Sequence, residues 1–141
     1  MDITSRIIEA RGSDTIVDIR PAKVASVEEA AAQFGLFDSP GIYFEISEQD
    51  AVSVLKTVLS RDMAYHVELM PQNEADGLAK EFVRHFSGDK PKYFTNGDYG
   101  CPRKHPNVGP SWTPATIATF DTGVLVITTE RIGCAWFTDE D

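Results

Sequence analysis

From Ser47 to Asp62 the chain reads SEQDAVSVLKTVLSRD, with apolar residues at Val52, Leu55, Leu59 and at Val54, Val58. These form two adjoining stripes of a 3.6-residue period, the mark of an amphipathic helix. Ser47 marks its start: a hydroxyl there can accept a free amide N–H, and the acids just after it meet the positive end of the helix dipole. A second stretch, PQNEADGLAKEFVRHFSG, spaces Leu78, Phe82 and Phe86 four residues apart, with Pro71 where a first turn tolerates it and Gly88 at the stop. A third, SVEEAAAQFG, has the capping-box spacing of Ser26 and Glu29 and ends at Gly35. The pattern thus predicts three helices.

Between the helices the period falls to two. TIVDI, GIYFEIS and MAYHVELM are short, rich in strand formers and alternating in polarity. Alternation assigns Val17, Ile19, Ile42, Phe44, Ile46, Tyr65, Val67 and Leu69 to one face, and Asp18, Tyr43, Glu45, His66 and Glu68 to the other. An unpaired carboxylate is costly to bury, so the acidic face is expected to stay solvated, with the helices packed on the opposite side. ITSRIIEARG, before the first strand, fits either a short helix or one arm of a hairpin.

After Gly88 no helical pattern returns. KPKYF reads as a strand, TNGDYGCPRKHPNVGPSW as a long Gly/Pro loop, and TIATF, GVLVITT and RIGCAWF as strands joined by DT and E. Such short joints predict an antiparallel meander, its middle run apolar on both faces. The expected fold is one α/β domain over residues 1–141, of mixed α+β character: a two-layer sandwich on a mixed sheet, with helices mainly on one face and a C-terminal meander.

Charge narrows the function. Thirteen basic and 22 acidic residues among 141 give a formal charge of −9. That field repels nucleic acid and anionic membrane, and favours either a basic protein partner or simple solubility. No apolar run is long enough for a membrane span, and MDITSRIIEARG lacks the order of a secretion signal, so a cytoplasmic location is expected. Cys101 and Cys134 show no disulfide framework.

The most chemical-looking segment is NGDYGCPRKHPNVG. There, Arg103, Lys104 and His105 could lower the thiol pKa of Cys101 and supply a base, which supports an alternative reading as a small hydrolase or transferase. A zinc site built on Cys101 and His105 would need Cys134, His66 or His85, residues better suited to core or helix-end roles, so no metal or cofactor is expected. Glu45 and Glu68 could pair for acid–base work, but on a solvated sheet they would lack a tuned environment. Phosphate-loop, dinucleotide, zinc-protease and nucleophile-elbow motifs are absent from the sequence. A third reading is a scaffold that associates with itself through the sheet face or an edge strand.

The segment SWTPATIATFDTGVLVITTERIGCAWFTDED, with its TFDTGV core and acidic finish, resembles the ends of small bacterial immunity proteins that neutralise toxins of polymorphic or contact-dependent systems. The resemblance implies a non-enzymatic inhibitor that covers the basic active site of one cognate toxin, frequently a nuclease. Under that reading Asp18, Tyr43, Glu45, His66, Glu68, Trp112, Asp139, Glu140 and Asp141 are the expected partner-binding residues. Arg103 and Lys104 depart from a uniformly acidic inhibitor surface.

Overall fold

The computed structural model describes residues 1–12, 14–100 and 111–141. Along the chain run α1 (Ile3–Arg11), β1 (Ile16–Pro21), α2 (Val27–Gln33), β2 (Phe44–Ile46), α3 (Glu48–Ser60), α4 (Gln72–Arg84), β3 (Lys92–Thr95), β4 (Phe120–Ile127) and β5 (Arg131–Asp139). The three expected helices are present. The ambiguous first segment is also helical, because the Asp2 carboxylate accepts the Ser5 amide at 2.9 Å and caps it. At α2 the Ser26 hydroxyl accepts the Glu29 amide, while the Glu29 carboxylate reaches back to the Ala25 amide at 3.0 Å, one residue earlier than in a standard capping box.

The five strands lie in the order β1-β5-β4-β3-β2, and every neighbouring pair is antiparallel. The sheet is therefore antiparallel throughout, not mixed. Of the expected C-terminal meander the β4–β5 hairpin is present; β3, and not TIATF, lies on the other side of β4, and β1 returns to pair with β5. Two strand expectations are corrected. MAYHVELM is a turn between α3 and α4 that keeps only a single bridge, Arg61 to Glu68. TIATF is a bent segment up to Thr119, and the Asp121-Thr122 pair, read as a turn, lies inside β4 and is buried.

Helices α1, α3 and α4 cover one face, where Ile7, Leu55, Leu59, Phe82 and Phe86 meet Val124, Val126 and Phe137. The end of α4 sits tight on the sheet: a Cβ on Gly133 would run into the ring of Phe86. The other face is not open. Its centre lies under α2 and the segment after it, with Ala30, Ala31, Phe34, Leu36 and Ile42 packed on Leu125, Ile132, Cys134 and Trp136. The physical reason is in β4 and β5 themselves, which are apolar on both sides and cannot leave either side in water. The molecule is thus an α+β sandwich with three helices on one face and the shortest helix on the other. Among the described residues, no helix is long and apolar enough to cross a membrane.

Candidate functional site

Strand register shows what became of the acidic face. Asp18 pairs with Cys134, Cys134 with Leu125, Leu125 with Phe94, and Phe94 with Glu45, so Asp18 and Glu45 stand at opposite ends of one row. Four strand spacings separate them, about 19 Å. Asp18 is paired with Arg20 at 2.6 Å, and Arg20 stacks over Phe34 at the border of the roofed core. Glu45 lies exposed on the short edge strand β2. Tyr43 faces inward: its ring meets Trp136 edge-on at 5.8 Å, and its hydroxyl donates to the Phe37 carbonyl at 2.6 Å. Burial pushes its phenol pKa well above the ordinary value.

The residues that build a surface are held by a buried acid that sequence reasoning passed over. Asp121 has no exposed area. Its carboxylate accepts hydrogen bonds from the Asn96 amide at 3.0 Å, the Trp136 indole at 3.1 Å, the backbone N–H groups of Ala115 and Thr116, and the Thr116 hydroxyl. Every donor is neutral, so hydrogen bonds without an ion pair satisfy its buried oxygens. Asn96 also donates to the Asp121 and Thr113 carbonyls and accepts from the Thr122 hydroxyl. This network fixes the bend after Thr113 to the sheet. The signal in the sequence was a DT pair flanked by apolar runs, which alternation reads equally well as a turn.

The bend carries Ile117 outward, 96% exposed. Beside it, Phe37 is 43% exposed and held at both backbone ends, its amide donating to the Ala115 carbonyl and its carbonyl accepting from Tyr43. Thr119 closes the bend by donating through its amide and hydroxyl to the Glu140 carboxylate. Between these walls runs a groove of about 630 Å³ lined by Asp14, Ile16, Phe37, Ile117, Asp139 and Glu140, among others. Its described lining residues include three carboxylates and no cation.

Asp139 ties this groove to the helical side. Its carboxylate pairs with Arg11 at 2.5 Å and accepts the Met63 amide at 2.8 Å, while Arg11 also donates to the Val58 carbonyl and lies over the Phe137 ring. Both partners of the ion pair are nearly buried, at 6% and 12% side-chain exposure. Met63 opens the turn that replaced the expected strand. There the Asp62 carboxylate accepts the amides of Tyr65 and Val67 at 2.8 and 2.5 Å, and His66 takes a left-handed φ of +57°. Burial works to raise the Asp62 pKa, but the amides of Tyr65, Val67 and Ala64, with Arg11 nearby, hold it below the ordinary carboxylate value. The turn presents Tyr65 and Val67, 65% and 58% exposed, with His66 and Glu68 also in solvent.

The structure therefore brings five of the nine expected residues to one end of the sheet: His66, Glu68, Asp139, Glu140 and Asp141. Trp112 stacks on Phe120, the register partner of Asp139, at 5.5 Å. Asp18, Glu45 and Tyr43 lie elsewhere. Cys134 is fully buried, and burial pushes its thiol far up, so it stays protonated. No group of three or more metal-ligating side chains converges among the described residues. The Cys101 to His105 loop lies outside the described residues. Comparison with protein-family models, with curated proteins and with solved structures gave no match.

Proposed function

We propose that this chain is an acidic protein-binding module that acts as an inhibitor of the immunity type, docking the Asp139 end of its sheet onto the basic active site of a cognate toxin. The observation that carries the proposal is Ile117, almost wholly exposed on a hydrogen-bonded bend beside Phe37 and the carboxylates of Asp14 and Glu140. A large apolar side chain fixed in water gains about 1.5–3 kcal/mol when a partner covers it. Because the bend is already ordered, little of that gain is lost to ordering on binding. The surrounding acids supply charge complementarity to a basic partner, which speeds encounter and sets orientation. Arg11 neutralises Asp139, so Asp14, Glu140 and Asp141 are left to meet the partner's cations. Asp139 then acts as a support for the surface.

The test uses immobilised wild-type protein and an Ile117→Ser variant to capture partners from bacterial lysate at low and high salt, with identification by mass spectrometry. The expected outcome is one basic protein, held by the wild type at low salt, weakened at high salt and lost from the variant column. Purified, that protein should lose its enzymatic activity when wild-type chain is added and keep it when the variant is added. A partner retained equally by both columns, or one whose activity is untouched by the wild type, rules the proposal out.

A further inference from the structure

A second groove, on the helical side of the molecule, has the opposite electrostatic character. Facing positions of α3 and α4 enclose about 570 Å³ lined by Val52, Lys56, Asp76, Lys80, Val83 and Arg84, with Ser53 and Ser87 beside them. It shares no lining residue with the groove at the Asp139 end. Three cations converge here on a chain whose formal charge is −9. The two acids of the groove already have partners: Glu48 accepts the Tyr93 hydroxyl at 3.3 Å, and Asp76 pairs with Lys80 at 2.8 Å. The side chains of Lys56 and Arg84 form no ion pair or hydrogen bond with any described residue. Lys56 is half-buried, and it adds to the lowering of the Asp76 carboxyl, which comes chiefly from the Lys80 contact, without itself closing one.

We infer that this groove binds a small organic phosphate, its head between Lys56 and Arg84 and a short apolar body against Val52 and Val83. The guanidinium fork of Arg84 matches two phosphate oxygens, while Lys56 supplies a point charge from the facing helix. The Ser87 hydroxyl lies in the same lining and can donate a further hydrogen bond. Val83 is only 3% exposed and Val52 is partly buried against the core, so the apolar wall is part of the α3/α4 packing and does not need to form on binding. A dianion is favoured over a single carboxylate because two separate cations face one space. No step of the inhibitor reading depends on this site.

The experiment follows backbone amide resonances of the full chain during titration with phenyl phosphate, inorganic phosphate, benzoate and benzyl alcohol. Phenyl phosphate is expected to give saturable shifts along α3 and α4 near Lys56 and Arg84, with inorganic phosphate and benzoate weaker and benzyl alcohol inert. The double variant Lys56→Met, Arg84→Met should weaken phenyl phosphate about tenfold or more. Lys23→Met, Lys92→Met removes the same charge outside the groove and should leave the affinity unchanged. Shifts that do not saturate, equal binding of benzoate or benzyl alcohol, or equal weakening by both double variants would each overturn the inference.

Discussion

Asp121 is the residue on which the proposed surface most depends, although it contributes nothing to that surface directly. It holds Ala115 and Thr116 from inside, and through them Ile117 and Phe37. Replacing it with alanine strands the Trp136 indole and two backbone N–H groups in the interior, while the Asn96 amide keeps its two carbonyl acceptors. Asp121→Ala is therefore expected to cost about 3–5 kcal/mol in chemical denaturation. Asp121→Asn should cost less, since the amide keeps one accepting oxygen but turns its NH₂ toward groups that are themselves donors. A loss below about 1 kcal/mol for the alanine variant would show that the network is not what holds the bend. Nothing in the local sequence around Asp121 announces this role. A carboxylate between two apolar runs is ordinary turn chemistry until five donors converge on it, two of them, on Asn96 and Trp136, from distant positions.

Among the secondary-structure elements, the turn between α3 and α4 gives the sharpest contrast with expectation. MAYHVELM has the alternation of a strand, yet Tyr65, Val67 and Leu69 are exposed, and the backbone follows the Asp62 carboxylate instead of a neighbouring strand. A nearby acceptor can outcompete a sheet ladder for the same amides. The native Asp62 carboxyl is lowered by those amides against the opposing effect of burial. The contribution of the turn is therefore complete above the unfolded carboxylate value near pH 4 and fades as pH falls through the lower native value. The stability gap between the wild type and Asp62→Asn, measured by urea denaturation, should be clear at pH 7 and shrink toward zero near pH 2. A gap that widens on acidification would reverse the assignment. Helices α2 and α3 were legible because each carries its own start, Ser26 and Ser47 capping through the side-chain oxygen, and α4 by its four-residue apolar spacing; α1 was left open although Asp2 caps it in the same way. The strands β4 and β5 were legible as apolar runs, but their two-sided burial carried a consequence for the rest of the sheet. A strand apolar on both faces needs cover on both, so α2 and the segment through Ile42 were required on the side expected to be open.

For the molecule as a whole, the net charge of −9 is not spread over one sheet face. Asp18 and Asp139 are neutralised by Arg20 and Arg11, and Glu45 is isolated on an edge. Two carboxylates without a cation partner, Asp14 and Glu140, line the Ile117 groove, where the proposed partner would meet them. Removing charge there, as Asp14→Asn with Glu140→Gln, should lower the association rate with the captured partner about tenfold at low salt and flatten its salt dependence, as read by stopped-flow or surface binding. Removing charge at Asp18 and Glu45 should change little beyond the loss of net charge. Similar slopes for the two variants would mean that only total charge matters. What the amino-acid order settles without folding is local and additive: the starts of α2 and α3, the apolar period, the two strands of the β4–β5 hairpin and the sign of the field, each depending on neighbours a few residues apart. Which face is covered, whether Asp121 is a turn residue or a buried anchor, and which carboxylates stay free were decided on folding. Each of these depends on pairings such as Asp121 with Trp136 and Arg11 with Asp139, whose energy exists only once distant segments exclude water together.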